Sequence, residues 1–211
     1  MRYMIQKEIN KYMLYMTAVR SGKMQARERG EVQYDPVPWV IYDRQRVATN
    51  QSTTLTFFKN PLGSTQDGTT KVYYDTNMDT AGVLPSPRKF SVYGLQISYQ
   101  VTASPTDVRA LLAQAYHEFI VGIKQYAVGP VKFIPSGEGL AGYAGNVAEW
   151  ANTSHIPSVN EMWVLARGEY PITIPQQQAF EARLNFKAAV SLGATVDVWY
   201  KLLGILWREV Q

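Results

Sequence analysis

The chain has 211 residues, 46% of them hydrophobic, and no cysteine. It is long enough for one large β domain and too apolar for bulk disorder, and the missing thiols exclude disulfide scaffolds, thiolate metal sites and cysteine nucleophiles. The net charge of +4 is uneven, because residues 1–30 carry seven basic residues against two acids while the remainder carries 14 against 15. A basic end of this kind suits a partner with negative charge, either nucleic acid or an anionic membrane surface.

In chain order, the first predicted element is a helix. Ile5, Ile9, Tyr12, Met16 and Val19 recur on one face, with Lys7, Asn10 and Lys11 off that stripe and Gly22 as a stop. Residues 1–32 therefore read as a basic amphipathic arm, whose cations are Arg2, Lys7, Lys11, Arg20, Lys23, Arg27 and Arg29. The arm can dock by its apolar stripe or touch lipid or nucleic acid by its charges. Its polar residues break any apolar run, which argues against a secretory signal, and no stretch approaches the ~18 apolar residues of a membrane span.

Residues 33–211 read as one β domain. Tyr34-Asp35-Pro36-Val37-Pro38 has the composition of a turn or extended linker. Strands are predicted at Val40–Arg44, Thr53–Phe58, Val72–Tyr74, Phe90–Val101, Glu118–Val128, Val131–Ile134, Met162–Ala166, Ile172–Ile174, Phe180–Lys187 and Val196–Trp207. In the fourth of these, Ser91, Tyr93, Leu95, Ile97, Tyr99 and Val101 alternate as one face. In the ninth, Phe180, Ala182, Leu184 and Phe186 alternate with polar residues, the pattern of a half-buried antiparallel strand. One helix interrupts the strands as a crossover: Ser104 is the N-cap, Pro105 the first helical residue and Asp107 stands at N3, with Val108, Leu111, Leu112, Ala115 and Tyr116 as its apolar face. Short strands separated by Gly/Pro turns, with a single helix among them, predict an all-β sandwich or barrel and not a doubly wound α/β fold.

The chemical motifs are weak. Gly137-Glu138-Gly139-Leu140-Ala141-Gly142 has G-x-G-x-x-G spacing, and Glu161 lies at a suitable distance. Pro135-Ser136 separates the glycines from any strand, and Gly145 makes a poor helix start, so a glycine-rich loop is expected and no cofactor. His117 and His155 are isolated in sequence, without the spacing of a metal site or triad. Asp75 and Asp79 fail the calcium-loop pattern, because the sixth position from Asp75 is Thr80 and the twelfth Ser86; turn chemistry is expected, and no metal. The scattered carboxylates leave a glycosidase-type pair open. Trp39, Trp150 and Trp163 could stack on sugars or bases, or serve cores and interfaces.

Several stretches together carry a resemblance: Thr56-Phe57-Phe58-Lys59-Asn60-Pro61-Leu62-Gly63, then Asp75-Thr76-Asn77-Met78, Ala81-Gly82-Val83-Leu84-Pro85 and Phe90-Ser91-Val92. Later come Ile174-Pro175-Gln176-Gln177-Gln178-Ala179-Phe180 and the terminal Leu203-Gly204-Ile205-Leu206-Trp207-Arg208-Glu209-Val210-Gln211. From Thr53 to Gln211 the chain resembles the single jelly-roll major capsid proteins of tailless icosahedral bacterial viruses, particularly those with an internal membrane. The resemblance implies a jelly-roll β-sandwich of eight core strands, so that two of the ten predicted segments are decorations or mistakes. It further implies a non-enzymatic structural subunit, made in a host cytoplasm, that assembles with copies of itself into capsomers. Neighbouring capsomers and other virion proteins would be its partners, and the basic arm would face an interior of membrane lipid or packaged nucleic acid. Two other readings stand beside it: a β-sandwich module or virion spike that recognises glycans, and a hydrolase in which His117 or His155 meets a carboxylate and a serine only in the fold.

Overall fold

The computed structural model describes residues 34–100, 102–134, 163–164 (as backbone) and 171–209. The predicted arm of residues 1–32 lies outside them. The described part is mostly β. Its strands are β1 (Tyr34–Val47), β2 (Asn50–Gln51), β3 (Leu55–Phe57), β4 (Thr65–Gln66), β5 (Thr69–Thr70), β6 (Lys89–Tyr99), β7 (Ala115–Val121), β8 (Lys124–Pro130), β9 (Trp163–Val164), β10 (Ile172–Ile174), β11 (Phe180–Phe186), β12 (Val190–Ser191) and β13 (Val196–Glu209). One helix, α1 (Pro105–Gln114), stands between β6 and β7.

Two antiparallel sheets carry the fold. One has the order β1-β13-β6-β10, with β9 also pairing with β6, and the other has the order β3-β11-β7-β8. The pairing is nested. β1 pairs with β13, β3 with β11, β6 with β10 and β7 with β8, so the outermost strands in sequence meet each other and the innermost form a hairpin. The inner faces share one core. Tyr200 of β13 lies against Phe57 of β3, with ring centroids 5.5 Å apart, and Phe58 meets Phe180 at 5.3 Å. Phe57, Phe58, Phe90 and Phe119 are fully buried; burial of such a ring contributes ~1.5–3 kcal/mol.

The linker expected at residues 34–38 is instead the first part of β1, which pairs with β13 without interruption from Tyr34↔Glu209 to Val47↔Val196. The two prolines are tolerated for a geometric reason. In an antiparallel strand each residue turns its N–H and C=O to one side, and the side alternates. Val40, Tyr42 and Arg44 turn theirs away from β13, since Asn77 and Lys71 bond them there. Pro36 and Pro38 share that parity, so their missing N–H groups face the open edge and no rung to β13 is lost. Further along the same edge, Asn77 acts as a surrogate strand: its side chain accepts from Tyr42 N–H at 3.0 Å and donates to Val40 C=O at 2.7 Å.

Three other expectations are corrected. The face assigned to the fourth predicted strand breaks at a bulge. Leu203 opposes Gly94 while Gly204 opposes Val92, leaving Tyr93 as an extra residue, so Phe90 and Val92 share the inner face with Leu95, Ile97 and Tyr99, and Ser91 turns outward. The segment Glu118–Val128 is two strands, because Gly122, with φ +63°, and Ile123 close a hairpin. Val131–Phe133 is a 3-10 turn. The start of the crossover helix is as expected: Ser104 Oγ accepts from Asp107 N–H at 3.1 Å, Pro105 opens α1, and Val108 and Leu111 are buried, whereas Tyr116, expected on its apolar face, is an exposed residue of β7. Ala115 already belongs to β7.

Gly204 sits where β13 crosses the bulge. A Cβ there would collide with the Ser91 carbonyl and stand 2.8 Å from Phe90 Cζ. Gly204→Ala is therefore expected to cost ~3 kcal/mol or more, read as a lower urea midpoint at unchanged m-value. A midpoint within error of the parent protein's contradicts this account of the bulge.

Candidate functional site

The predicted contact residues of the arm (Arg2, Lys7, Lys11, Arg20, Lys23, Arg27 and Arg29, with the stripe Ile5, Ile9, Tyr12, Met16 and Val19) lie outside the described residues. So do the glycine-rich segment 137–142, Trp150, His155 and Glu161. Trp163 is placed by its backbone in β9 alone. The described residues do place His117, Trp39, Asp75 and Asp79.

A buried ion pair organises one flank. Asp43, on the inner face of β1, is wholly buried, and Lys71 is 3% exposed. Lys71 Nζ donates to Asp43 Oδ1 at 2.5 Å and to the Arg44 carbonyl at 2.8 Å. The other carboxylate oxygen accepts from Phe58 N–H at 2.7 Å and Gln45 Nε2 at 3.2 Å. Burial pushes the Asp43 carboxyl above its usual range, and Lys71 with the other donors pulls it part of the way back. Around this centre, Arg44 pairs with Asp75 at 2.9 Å and with Asp197 at 2.6 Å, and Arg46 pairs with Asp197 at 2.9 Å.

The pair anchors a ledge. Val72, Tyr73 and Tyr74 follow Lys71 and are 54%, 68% and 69% exposed. They were expected as a strand; they form a turn instead. Each backbone carbonyl is bonded: Val72 C=O within the turn, accepting from Asp75 N–H at 2.8 Å, and the next two to the sheet, Tyr73 C=O accepting from the Tyr42 hydroxyl and Tyr74 C=O from Trp199 Nε1 at 3.1 Å. Asp75 closes the turn by accepting from Val72 N–H at 3.0 Å, which is the turn chemistry expected for this acid. The Tyr74 ring stands edge-on to Trp199, centroids 5.5 Å apart. The backbone is thus held at every residue while three apolar side chains face water. Trp39 and Val40 of β1 are also exposed.

A second apolar surface covers the β7–β8 hairpin. Tyr116, Ile123, Tyr126 and Val128 are exposed there, and Phe133 follows. Lys124 and Lys132 are the cations among them. Beside them, on β11, Arg183 pairs with Glu181 and, at 3.9 Å, with Glu118. Neither surface was singled out from the sequence. The one signal for the ledge is the apolar triplet Val72–Tyr74, which reads as a strand, bracketed by Lys71 and Asp75.

His117 is fully buried on the inner face of β7, its Nδ1 3.0 Å from the Tyr200 hydroxyl. Burial lowers its pKa from 6.5 to about 4. Its partner in the fold is a phenol on the opposite sheet, so the imidazole ties one sheet to the other. Asp79, on the surface, pairs with Arg88 at 2.9 Å. Among the described residues no group of three or more His, Asp or Glu lies close enough to hold a metal ion, and no helix is long and apolar enough to cross a membrane.

Compared with protein-family models, curated proteins and solved structures, the chain matches none.

Two outcomes are expected. Lys71→Met leaves the Asp43 carboxylate buried without its cation and should cost ~3–5 kcal/mol in urea unfolding; an unchanged midpoint contradicts the pair's anchoring role. For His117, the lowered folded pKa means that the unfolded chain binds the proton first as pH falls. The resulting stability is present above pH 6.5 and is lost as pH falls toward about 4, a contribution on the order of 3 kcal/mol. His117→Gln should flatten that part of the pH profile relative to the parent protein. Parallel profiles between pH 7 and pH 4 contradict it.

Proposed function

We propose that the chain is a structural subunit: a jelly-roll β-sandwich that assembles with copies of itself into the shell of a virus particle, as the capsid resemblance implies. The observation that carries the reading is the nested pairing. Setting aside the two-residue strands, eight remain. Numbered in chain order, they form sheets of order 1-8-3-6 and 2-7-4-5. This is the order produced when one long antiparallel hairpin, with strands paired 1-8, 2-7, 3-6 and 4-5, is wound around a core, the plan of a jelly roll. The fold needs no reaction centre, and function on such a scaffold resides in its surfaces.

Two surface features support self-association. The ledge and the β7–β8 hairpin both expose aromatic and aliphatic side chains on fixed backbone, which is the composition of interface cores. In this reading residues 1–32 face the interior of the particle, where membrane lipid or packaged genome supplies negative charge for Arg2, Lys7, Lys11, Arg20, Lys23, Arg27 and Arg29.

Concentrating the purified chain should produce closed, symmetric particles in electron micrographs and a fast-sedimenting species. Reversing charge at Arg2, Lys7, Lys11 and Lys23 should disturb assembly or interior contacts while the β circular-dichroism spectrum stays unchanged. A chain that remains monomeric at high concentration, and that enters no particle, overturns the proposal.

A further inference from the structure

We infer that Asp43 and Lys71 condense after folding into an intramolecular amide, a covalent tie between β1 and the start of the ledge. The pair is held for that reaction from both sides. Asp43 lies on β1, and the Lys71 backbone is fixed by its N–H on the Ser64 carbonyl at 2.8 Å and by Gly63 N–H on its own carbonyl at 2.9 Å. The side chains meet where Asp43 is wholly buried and Lys71 is 3% exposed. Lys71 Nζ touches Asp43 Oδ1 at 2.5 Å, so the carboxyl carbon Cγ is one bond beyond the contact. Holding an amine against a carboxyl in this way replaces a bimolecular encounter with an intramolecular one.

The two carboxyl oxygens have different surroundings. Oδ1 faces the amine. Oδ2 accepts from Phe58 N–H at 2.7 Å and from Gln45 Nε2 at 3.2 Å, and the Gln45 amide is oriented by Gln66 Nε2, which donates to its oxygen. Two fixed donors on one oxygen stabilise the negative charge that builds there when a nucleophile adds to the carboxyl carbon. The step balances within the pair. Lys71 passes one proton to Oδ1, a transfer that burial of the carboxyl favours. The freed lone pair forms the Nζ–Cγ bond and charge passes to Oδ2. The Cγ–Oδ1 bond then breaks, and Oδ1 leaves as water with a second proton from the nitrogen. An ammonium and a carboxylate become a neutral amide and one water, with no oxidant or activating group.

The surroundings suit the product better than the ion pair. Among the described residues, the three donors of the ammonium meet two acceptors, Asp43 Oδ1 and the Arg44 carbonyl. The amide keeps one N–H, for the Arg44 carbonyl, and one C=O, already bonded by Phe58 and Gln45. Two buried charges also disappear. Contact alone is not sufficient: Lys59 Nζ stands 3.2 Å from Glu181, but its side chain is 59% exposed, so that pair lacks the dry surroundings. The bond joins residues 28 apart in sequence, in a chain that has no cysteine to form a disulfide.

Intact-mass measurement of the purified full-length chain, denatured after folding, tests the bond. The expected mass is lower than that of the sequence by one water. A tryptic digest should join peptide 30–44 to peptide 60–88, because an acylated Lys71 is no longer cleaved. Lys71→Arg keeps a cation opposite Asp43 but cannot form this bond, so its mass should equal that of its own sequence. Gln45→Ala removes one donor from Oδ2 and should slow the appearance of the joined peptide about tenfold or more in a time course after synthesis; an unchanged rate contradicts the role of those donors. A parent chain of full mass that releases free peptide 60–71 after prolonged incubation overturns the inference. So does a water loss that maps to Asp67-Gly68 as a cyclic imide.

Discussion

The structure turns on one buried carboxylate. Asp43 belongs to β1, yet it bonds Phe58 at the end of β3 and Lys71 at the start of the ledge. Phe58 is in the left-handed region, with φ 70°, a conformation that costs a bulky residue of order 1–3 kcal/mol. The Asp43 oxygen on its N–H and Gly82 N–H on its carbonyl, at 2.7 Å, hold it there. Its ring then packs against Phe180 and Tyr200. The same carboxylate therefore fixes a corner of the core and an exposed loop. An apolar pair of similar volume could fill the space, but it would leave Phe58 N–H, Gln45 Nε2 and the Arg44 carbonyl without the partners they have here.

From that centre the long connection between β3 and β6 is drawn back across the edge of β1. Asn77 replaces a missing strand, Lys71 covers the Arg44 carbonyl, and two prolines blank the remainder. A long edge strand is ordinarily a site of uncontrolled pairing; here those bonds and the prolines close the edge of β1.

Alternation made much of this legible in the sequence. Phe180, Ala182, Leu184 and Phe186 mark the inner face of β11, and the Ser104-Pro105 cap sets the start of α1. The misreadings have local causes. Pro36 and Pro38 resemble a linker until the register shows which way their nitrogens point, a property of pairing and not of composition. Tyr93 shifts the phase of β6 by one, and no single-strand pattern reveals a bulge that exists only opposite Gly204. Gly122-Ile123 is a turn written with an apolar residue. The ledge escaped for a deeper reason: its anchor joins residues 43, 58 and 71, and charges separated by such distances in sequence carry no spacing signal. The basic arm is the opposite case, a composition signal located outside the described residues.

Amide hydrogen exchange on the purified chain tests most directly whether the Asp43–Lys71 pair builds a rigid ledge. Phe58 N–H on Asp43, Tyr42 N–H on Asn77 and Lys71 N–H on the Ser64 carbonyl report the anchor. The account predicts that all three exchange as slowly as the β13 amides and lose that protection together in Lys71→Met. Fast exchange at these three positions in the parent protein, with β13 still protected, would contradict it.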